Sequence, residues 1–308
     1  MDAVLLFSGQ GAQKVGMGKD LYDQYPVAKA LIEQADKALG ESLSAVMFEG
    51  PGEELTRTCN CQPALYVHGL ACLAVLKELV PSLNPVAAAG LSLGEFTAHA
   101  AAGTYSFEEG LRLVQKRGAF MEEACNATKG TMAAMIGGTD ENVIKLAQEC
   151  DVDVANFNCP GQTVVSGTEE GVAKAVAGAK AAGCKIAKKL NVAGAYHSRL
   201  MHSAMVKLAE ELKNISFGTP SMPVYCNYEA RVVEGPDDIR SMLEHQVCGS
   251  VRWTASMQKL VDQGHRVFIE LGPGKTLAGM MARICKEATV ISIEDVPSLE
   301  AAVAELNK

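Results

Sequence analysis

Apolar and polar positions fall along this chain in short blocks whose lengths separate strands from helices. Ala3–Phe7 is a continuous apolar run of strand length, closed by the glycine-rich Ser8-Gly9-Gln10-Gly11-Ala12-Gln13. The run Asn84–Gly90 is too short for a helix and suits a buried strand, whereas Glu95–Ala102 behind it suits a helix. Gln62-Pro63 opens a helical segment to about Leu79, with the proline suited to a first turn. Ser106 and Glu109 have capping-box spacing, so a further helix begins near Phe107. This alternation predicts an α/β core.

Between Thr128 and Asn191 the pattern changes. Strand signals at Thr131–Gly137, Asp153–Phe157, Thr163–Ser166 and Cys184–Leu190 frame helical signals at Asp140–Cys150 and Glu169–Ala182. The resulting β-α-β-β-α-β order is that of a ferredoxin-like unit, in which one sheet face lies beneath two helices. The chain therefore reads as a large α/β domain in two portions, residues 1–127 and 192–308, with a small ferredoxin-like subdomain at 128–191 inserted between them. In the second portion, Ser198–Lys213 and Thr276–Lys286 are helical in pattern. Pro223–Asn227 and Arg266–Leu271 read as strands, and Gly272-Pro-Gly274 as a turn.

Composition narrows the function. With 308 residues, 48% of them hydrophobic, the chain can bury a large core. A formal charge of −8 argues against non-specific nucleic-acid binding as its main task. No long uninterrupted apolar span suits a membrane crossing, and Met1-Asp2 lacks the positive entry of a secretory signal. The expectation is a cytoplasmic protein, unless a targeting peptide was removed before this start. Ten cysteines fit that compartment, and Cys59-x-Cys61 lacks the second pair of a zinc site, so no metal is expected.

The chemistry centres on Gly90-Leu-Ser-Leu-Gly94. Its Gly-x-Ser-x-Gly spacing lets a sharp strand-to-helix turn lift the Ser92 hydroxyl out of a sheet, beside a helix N-terminus that favours developing negative charge. A serine hydroxyl needs a base, and His197 in Ala195-Tyr-His-Ser198 is the best placed of six histidines, since it follows a strand end. An ordinary structural role for it stays open. No acidic third member stands out; a backbone carbonyl can orient the ring instead. Arg117 shares a semi-apolar helix side with Leu113, Phe120 and Ala124, so it needs a route to water or an anionic partner, such as the free carboxylate of an acyl substrate. The loop at Gln10 lacks a complete nucleotide-binding order. It either packs on the helix start or gives its N–H, with that of Leu93, to an oxyanion hole.

Taken together, Gly9–Gln13, Gln62–Leu65, Gly90–Glu95, Arg117, Ala195–Ser198 and Gly272–Gly274 resemble the malonyl-CoA:acyl carrier protein transacylase family across nearly the whole chain. The resemblance implies an α/β-hydrolase-like large domain and a cytoplasmic malonyltransferase of fatty acid synthesis. Ser92 would be the acylated nucleophile, His197 its acid/base, Gln10 and Leu93 the oxyanion donors, and Arg117 the carboxylate site. It further implies a supporting carbonyl near His197 from Val251–Trp253, placed at Arg252, with Gln62, Asn156 and Asn158 near the cleft. No permanently bound cofactor is implied. Malonyl-CoA would be the donor and holo acyl carrier protein would bring the phosphopantetheine acceptor; a monomer is the expectation, although the sequence does not fix the oligomeric state. Lys185, Lys188, Lys189 and Arg199 read either as a positive docking edge for that carrier or as an ordinary solvated charge run. Leu91, Tyr196 and Ser8 depart from the common histidine, phenylalanine and proline, which bears on tuning more than on reaction class. The competing functions are a serine thioesterase or esterase, with water as acceptor, and a non-catalytic carrier-binding protein.

Overall fold

A computed structural model describes residues 1–307. Its strands are β1 (Asp2–Phe7), β2 (Asn84–Gly90), β3 (Gly130–Ile136), β4 (Asp153–Cys159), β5 (Gln162–Thr168), β6 (Ile186–Lys189), β7 (Val224–Tyr225), β8 (Val267–Leu271) and β9 (Thr289–Ile293). Five of them form a parallel sheet in the order β7-β2-β1-β8-β9. The period of two along β1 sends Ala3, Leu5 and Phe7 into one apolar cluster and Val4 and Leu6 into another. Both faces of this sheet are therefore covered, which explains why β1 reads as an unbroken apolar run. The first face packs under the helix Thr58–Leu79, the second under Trp253–Asp262 and Thr276–Ile284.

The helix Thr58–Leu79 starts four residues before the predicted Gln62, leaving Pro63 inside it. Tertiary contacts secure the extra turn: the Cys59 N–H donates to Glu122 at 3.2 Å and the Asn60 amide to the Glu54 carbonyl at 2.9 Å. Contrary to the expectation from sequence, this helix is long and apolar enough to cross a membrane. Yet 83% of its apolar window is buried inside the protein, the environment of a core helix.

The remaining four strands make an antiparallel sheet, β4-β5-β3-β6. The helices Asp140–Glu149 and Glu169–Gly178, each with a threonine accepting a backbone N–H at its N-cap, cover one face through Val143, Leu146, Val172 and Ala175. The second helix ends at Gly178, short of the predicted Ala182, as the chain turns so that the Cys184 N–H reaches the Ala179 carbonyl. Met132, Ala134 and Val164 on the other face join the core of the large sheet. β4 meets the segment before Trp253 through Phe157 N–H to Val251 O and Val251 N–H to Ala155 O, at 2.9 and 2.8 Å. The chain is thus a mixed α/β fold, a larger parallel-sheet unit carrying a smaller ferredoxin-like one. β9 and the helices Pro26–Leu39, Pro236–Gln246 and Val296–Leu306 lie outside the predicted elements.

Candidate active site

β2 ends at Gly90 and the helix Leu93–Ala101 begins three residues later, so the chain must reverse within Leu91-Ser92. Ser92 takes up the strain, at φ 54° and ψ −103°. Glycine is required on either side. A Cβ on Gly90 would overlap the Gly94 carbonyl, and one on Gly94 would overlap the Phe7 carbonyl at the end of β1. Asn227, just past β7, locks the turn: its Oδ1 accepts the Ser92 N–H at 2.7 Å and its Nδ2 donates to Gly90 O at 2.8 Å.

His197, in the turn before the 3₁₀ segment Arg199–Met201, places Nε2 2.7 Å from Ser92 Oγ. Its Nδ1 lies 2.9 Å from the Gln246 carbonyl oxygen. That oxygen can only accept, so the ring proton sits on Nδ1 and Nε2 is free to accept from the serine hydroxyl. Burial, reinforced by the Arg117 charge, pushes His197 down to about 4, so the imidazole is neutral near pH 7. The supporting carbonyl therefore belongs to Gln246 and not to Arg252. Arg252 is exposed, with its Nε–H donating to Tyr228 O at 2.9 Å, because its backbone is held between Asn227 and the start of the helix Trp253–Asp262.

Arg117 is 1% exposed, yet its direct partners are neutral. Nη1 donates to Gln62 Oε1 at 2.7 Å, and Nη2 donates to Gln246 Oε1 at 2.8 Å and to Ser92 Oγ at 3.1 Å. The guanidinium carbon lies 5.0 Å over the Phe96 ring, and the Nε–H has no partner. No protein carboxylate contacts this cation directly; two amide oxygens and the Ser92 hydroxyl accept from it. A buried guanidinium with a spare donor, touching the serine oxygen, is a ready-made anion receptor.

Three further residues complete the network. Gln246, the last residue of Pro236–Gln246, sends Nε2 to Ser92 O at 2.9 Å and to Glu95 Oε2 at 2.6 Å. Glu95 Oε2 also accepts the Asn227 N–H at 2.9 Å. A carboxylate in the largely apolar stretch Glu95–Ala102 was the one signal in the sequence. Gln246 and Asn227 have none, since amides in loops and helix ends are common.

The Gln10 loop lies against the elbow: Leu91 N–H donates to Phe7 O at 3.1 Å, and a Cβ on Gly9 would overlap the Leu91 carbonyl. The Gln10 side chain reaches the Tyr196 hydroxyl at 3.4 Å, which in turn lies 2.7 Å from Thr58 Oγ1. Among the described residues, no protein acceptor takes the N–H of Gln10 or Leu93. Asn156 and Asn158, on β4, are buried but make no side-chain hydrogen bond to Ser92, His197 or Arg117. Two of the four proposed docking cations are neutralised: Arg199 pairs with Asp151 and Asp153 at 2.7 and 2.9 Å, and Lys189 with Glu169 at 3.7 Å. Lys185 and Lys188 remain exposed.

This arrangement recurs in known proteins. Residues 4–305 match the acyl transferase domain family. A malonyl CoA-acyl carrier protein transacylase of Bacillus subtilis is 42% identical over 308 residues, spanning 98% of this chain and 96% of that protein. The crystal structure of an acyl carrier protein S-malonyltransferase from Vibrio cholerae superposes with a TM-score of 0.93 at 38% identity, covering 97% of this chain and 99% of that one. A malonyl-transacylase solved in complex with the acyl-carrier protein of a type II polyketide synthase gives 0.95 at 36% identity, over 99% and 100% of the two chains. With its serine elbow, neutral histidine and buried arginine set in this fold, the chain belongs to the malonyl-CoA:acyl carrier protein transacylase family.

Proposed function

We propose that this protein moves the malonyl group from malonyl-CoA to the phosphopantetheine thiol of holo acyl carrier protein, through an ester on Ser92. The observation that carries the reading is one oxygen with two partners: Ser92 Oγ lies 2.7 Å from His197 Nε2 and 3.1 Å from Arg117 Nη2. A base for the nucleophile and a cation for the acid at the far end of the acyl chain thus meet at the same atom.

His197 Nε2 takes the Ser92 proton as Oγ attacks the thioester carbonyl, and the N–H groups of Gln10 and Leu93 hold the resulting oxyanion. The intermediate collapses, CoA leaves, and His197 returns the proton to its sulfur. In the second half the carrier's thiol gives its proton to His197 and attacks the ester. Ser92 is released and recovers that proton. Arg117 exchanges its contact with Ser92 Oγ for the malonyl carboxylate, its spare Nε–H supplying a further donor. Gln62 and Gln246 keep the guanidinium in place meanwhile. In this reading residues 1–127 and 192–308 carry every one of these groups, and 128–191 form the subdomain that closes against them. We place the protein in the cytoplasm, where a chain with ten unpaired thiols, seven of them buried, keeps them reduced.

Incubation with malonyl-CoA followed by peptide mapping is expected to locate a malonyl ester on Ser92, which holo-carrier then discharges into malonyl-carrier. Discharge to free malonate, with no acylated carrier, would mark a thioesterase. Full transfer by Ser92→Ala would overturn the mechanism.

A further inference from the structure

Glu95 is fully buried on the elbow helix, three residues after Ser92, and is the one carboxylate in the hydrogen-bond network around Arg117 among the described residues. Its two oxygens differ. Oε2 accepts from Gln246 Nε2 and from the Asn227 N–H, both of which can only donate, so Oε2 cannot itself carry a proton. Oε1 is buried with no partner. A proton can therefore settle on Oε1 without breaking either bond, and one geometry serves both charge states.

Gln246 sets these charges at the two ends of one amide: its Nε2 faces Glu95 and its Oε1 faces Arg117. Buried together, the two charges each favour the ionised form of the other. The other titratable groups facing Glu95 are Tyr105 and Cys226, both pushed up by burial and so neutral near pH 7. The bonds from Gln246 and from the Asn227 N–H, and after them the Arg117 charge, favour the Glu95 carboxylate as a charge. Burial opposes it and raises Glu95 to about 7. When an acyl carboxylate pairs with Arg117, two anions share one cation, and protonation at Oε1 relieves the excess at the least structural expense.

We propose that Glu95 is a specificity-determining positioning residue. It is the resident counter-charge of Arg117, and it takes up a proton from solvent on Oε1 when the carboxylate of the acyl substrate occupies that arginine. The inference rests on the reading of Arg117 given above. The sign of its pH dependence follows. Below about pH 7 Glu95 already holds the proton and malonyl binding is independent of pH. Above it the proton must be taken up, and affinity for malonyl-CoA falls by up to about tenfold per pH unit. Acetyl-CoA, without the carboxylate, shows no such fall.

Titration calorimetry on Ser92→Ala, which binds donor without forming the ester, tests this when run above neutral pH in two buffers of different ionisation enthalpy. The expected result is uptake of up to about one proton per malonyl-CoA and none per acetyl-CoA. Glu95→Gln in the same background should abolish the difference while retaining the acceptor that faces Gln246 and Asn227. Equal uptake with the two donors, in Ser92→Ala alone, overturns the inference whether or not the Glu95 variant folds. Preference for malonyl-CoA without proton uptake sinks the role of Glu95 and leaves that of Arg117 standing. No preference for malonyl-CoA sinks both.

Discussion

Replacing Arg117 by alanine removes a cation that is 1% exposed and hydrogen-bonded to Gln62, Gln246 and Ser92. Two effects follow, and they are separable. The first is structural: the Gln62 and Gln246 side-chain oxygens lose their donor, at about 1–3 kcal/mol each where water does not enter the space. The second is functional: a malonyl carboxylate brought into this buried site would find no counter-charge, a loss of about 2–5 kcal/mol. At one factor of ten per 1.4 kcal/mol, kcat/KM for malonyl-CoA falls by about 30-fold to a few thousand-fold. Acetyl-CoA makes no ion pair, so its kcat/KM falls only through the structural term. The measurement is the malonyl-to-acetyl ratio of Ser92 acylation rates in the two proteins, each checked for folding by circular dichroism. Arg117→Lys should recover little of the ratio, since a single ammonium cannot span Gln62, Gln246 and the substrate together. A ratio that stays the same in Arg117→Ala as in the unmodified protein would refute this assignment.

Other expectations follow from the same geometry. His197 must be neutral to act as base, and it stays neutral down to about 4, so the acid limb of Ser92 acylation should have its midpoint near that value. A midpoint near 6.5 would show an imidazole in contact with water. His68 and His197 are both held at about 4 by burial, below their unfolded value near 6.5. Their contribution to stability is complete above 6.5 and is lost as pH falls through the folded values, by up to about 1.4 kcal/mol per pH unit for each. Urea midpoints that stay level from pH 7 to about 4 would contradict this. Gly94→Ala drives a Cβ into the Phe7 carbonyl and should displace the elbow, abolishing acylation or lowering the thermal midpoint by several degrees. A fully acylatable Gly94→Ala protein of unchanged stability would mean that the elbow tolerates what the packing forbids.

Much of the architecture is legible in the chain because its signals are local. The apolar run of β1 reports a strand covered on both faces, and the Ser106–Glu109 capping box marks the start of the helix Phe107–Ala127, with both of its reciprocal bonds formed. The four strands and two helices of the small subdomain appear in order, their ends shifted by a few residues. Harder to read were elements stabilised from a distance. The first turn of Thr58–Leu79 rests on Glu122, 63 residues from Cys59, and has no local signature; β9, by contrast, is the β-branched run Thr289-Val-Ile-Ser-Ile293, a strand signal that the predicted elements leave out.

At the site the division follows the same line. The sequence by itself determined that a serine would be lifted at a strand-to-helix elbow, because Gly-x-Ser-x-Gly is a constraint on consecutive backbone torsions. Only the tertiary structure decided what surrounds that serine. His197 is 105 residues from it, Arg117 rests on Gln62 and Gln246 at separations of 55 and 129, and the carbonyl that orients the imidazole belongs to Gln246, not Arg252. Those contacts are made by folding the sheet and its helices together. Amides and carbonyls acquire a role only through what is placed beside them, and spacing along a chain does not encode that.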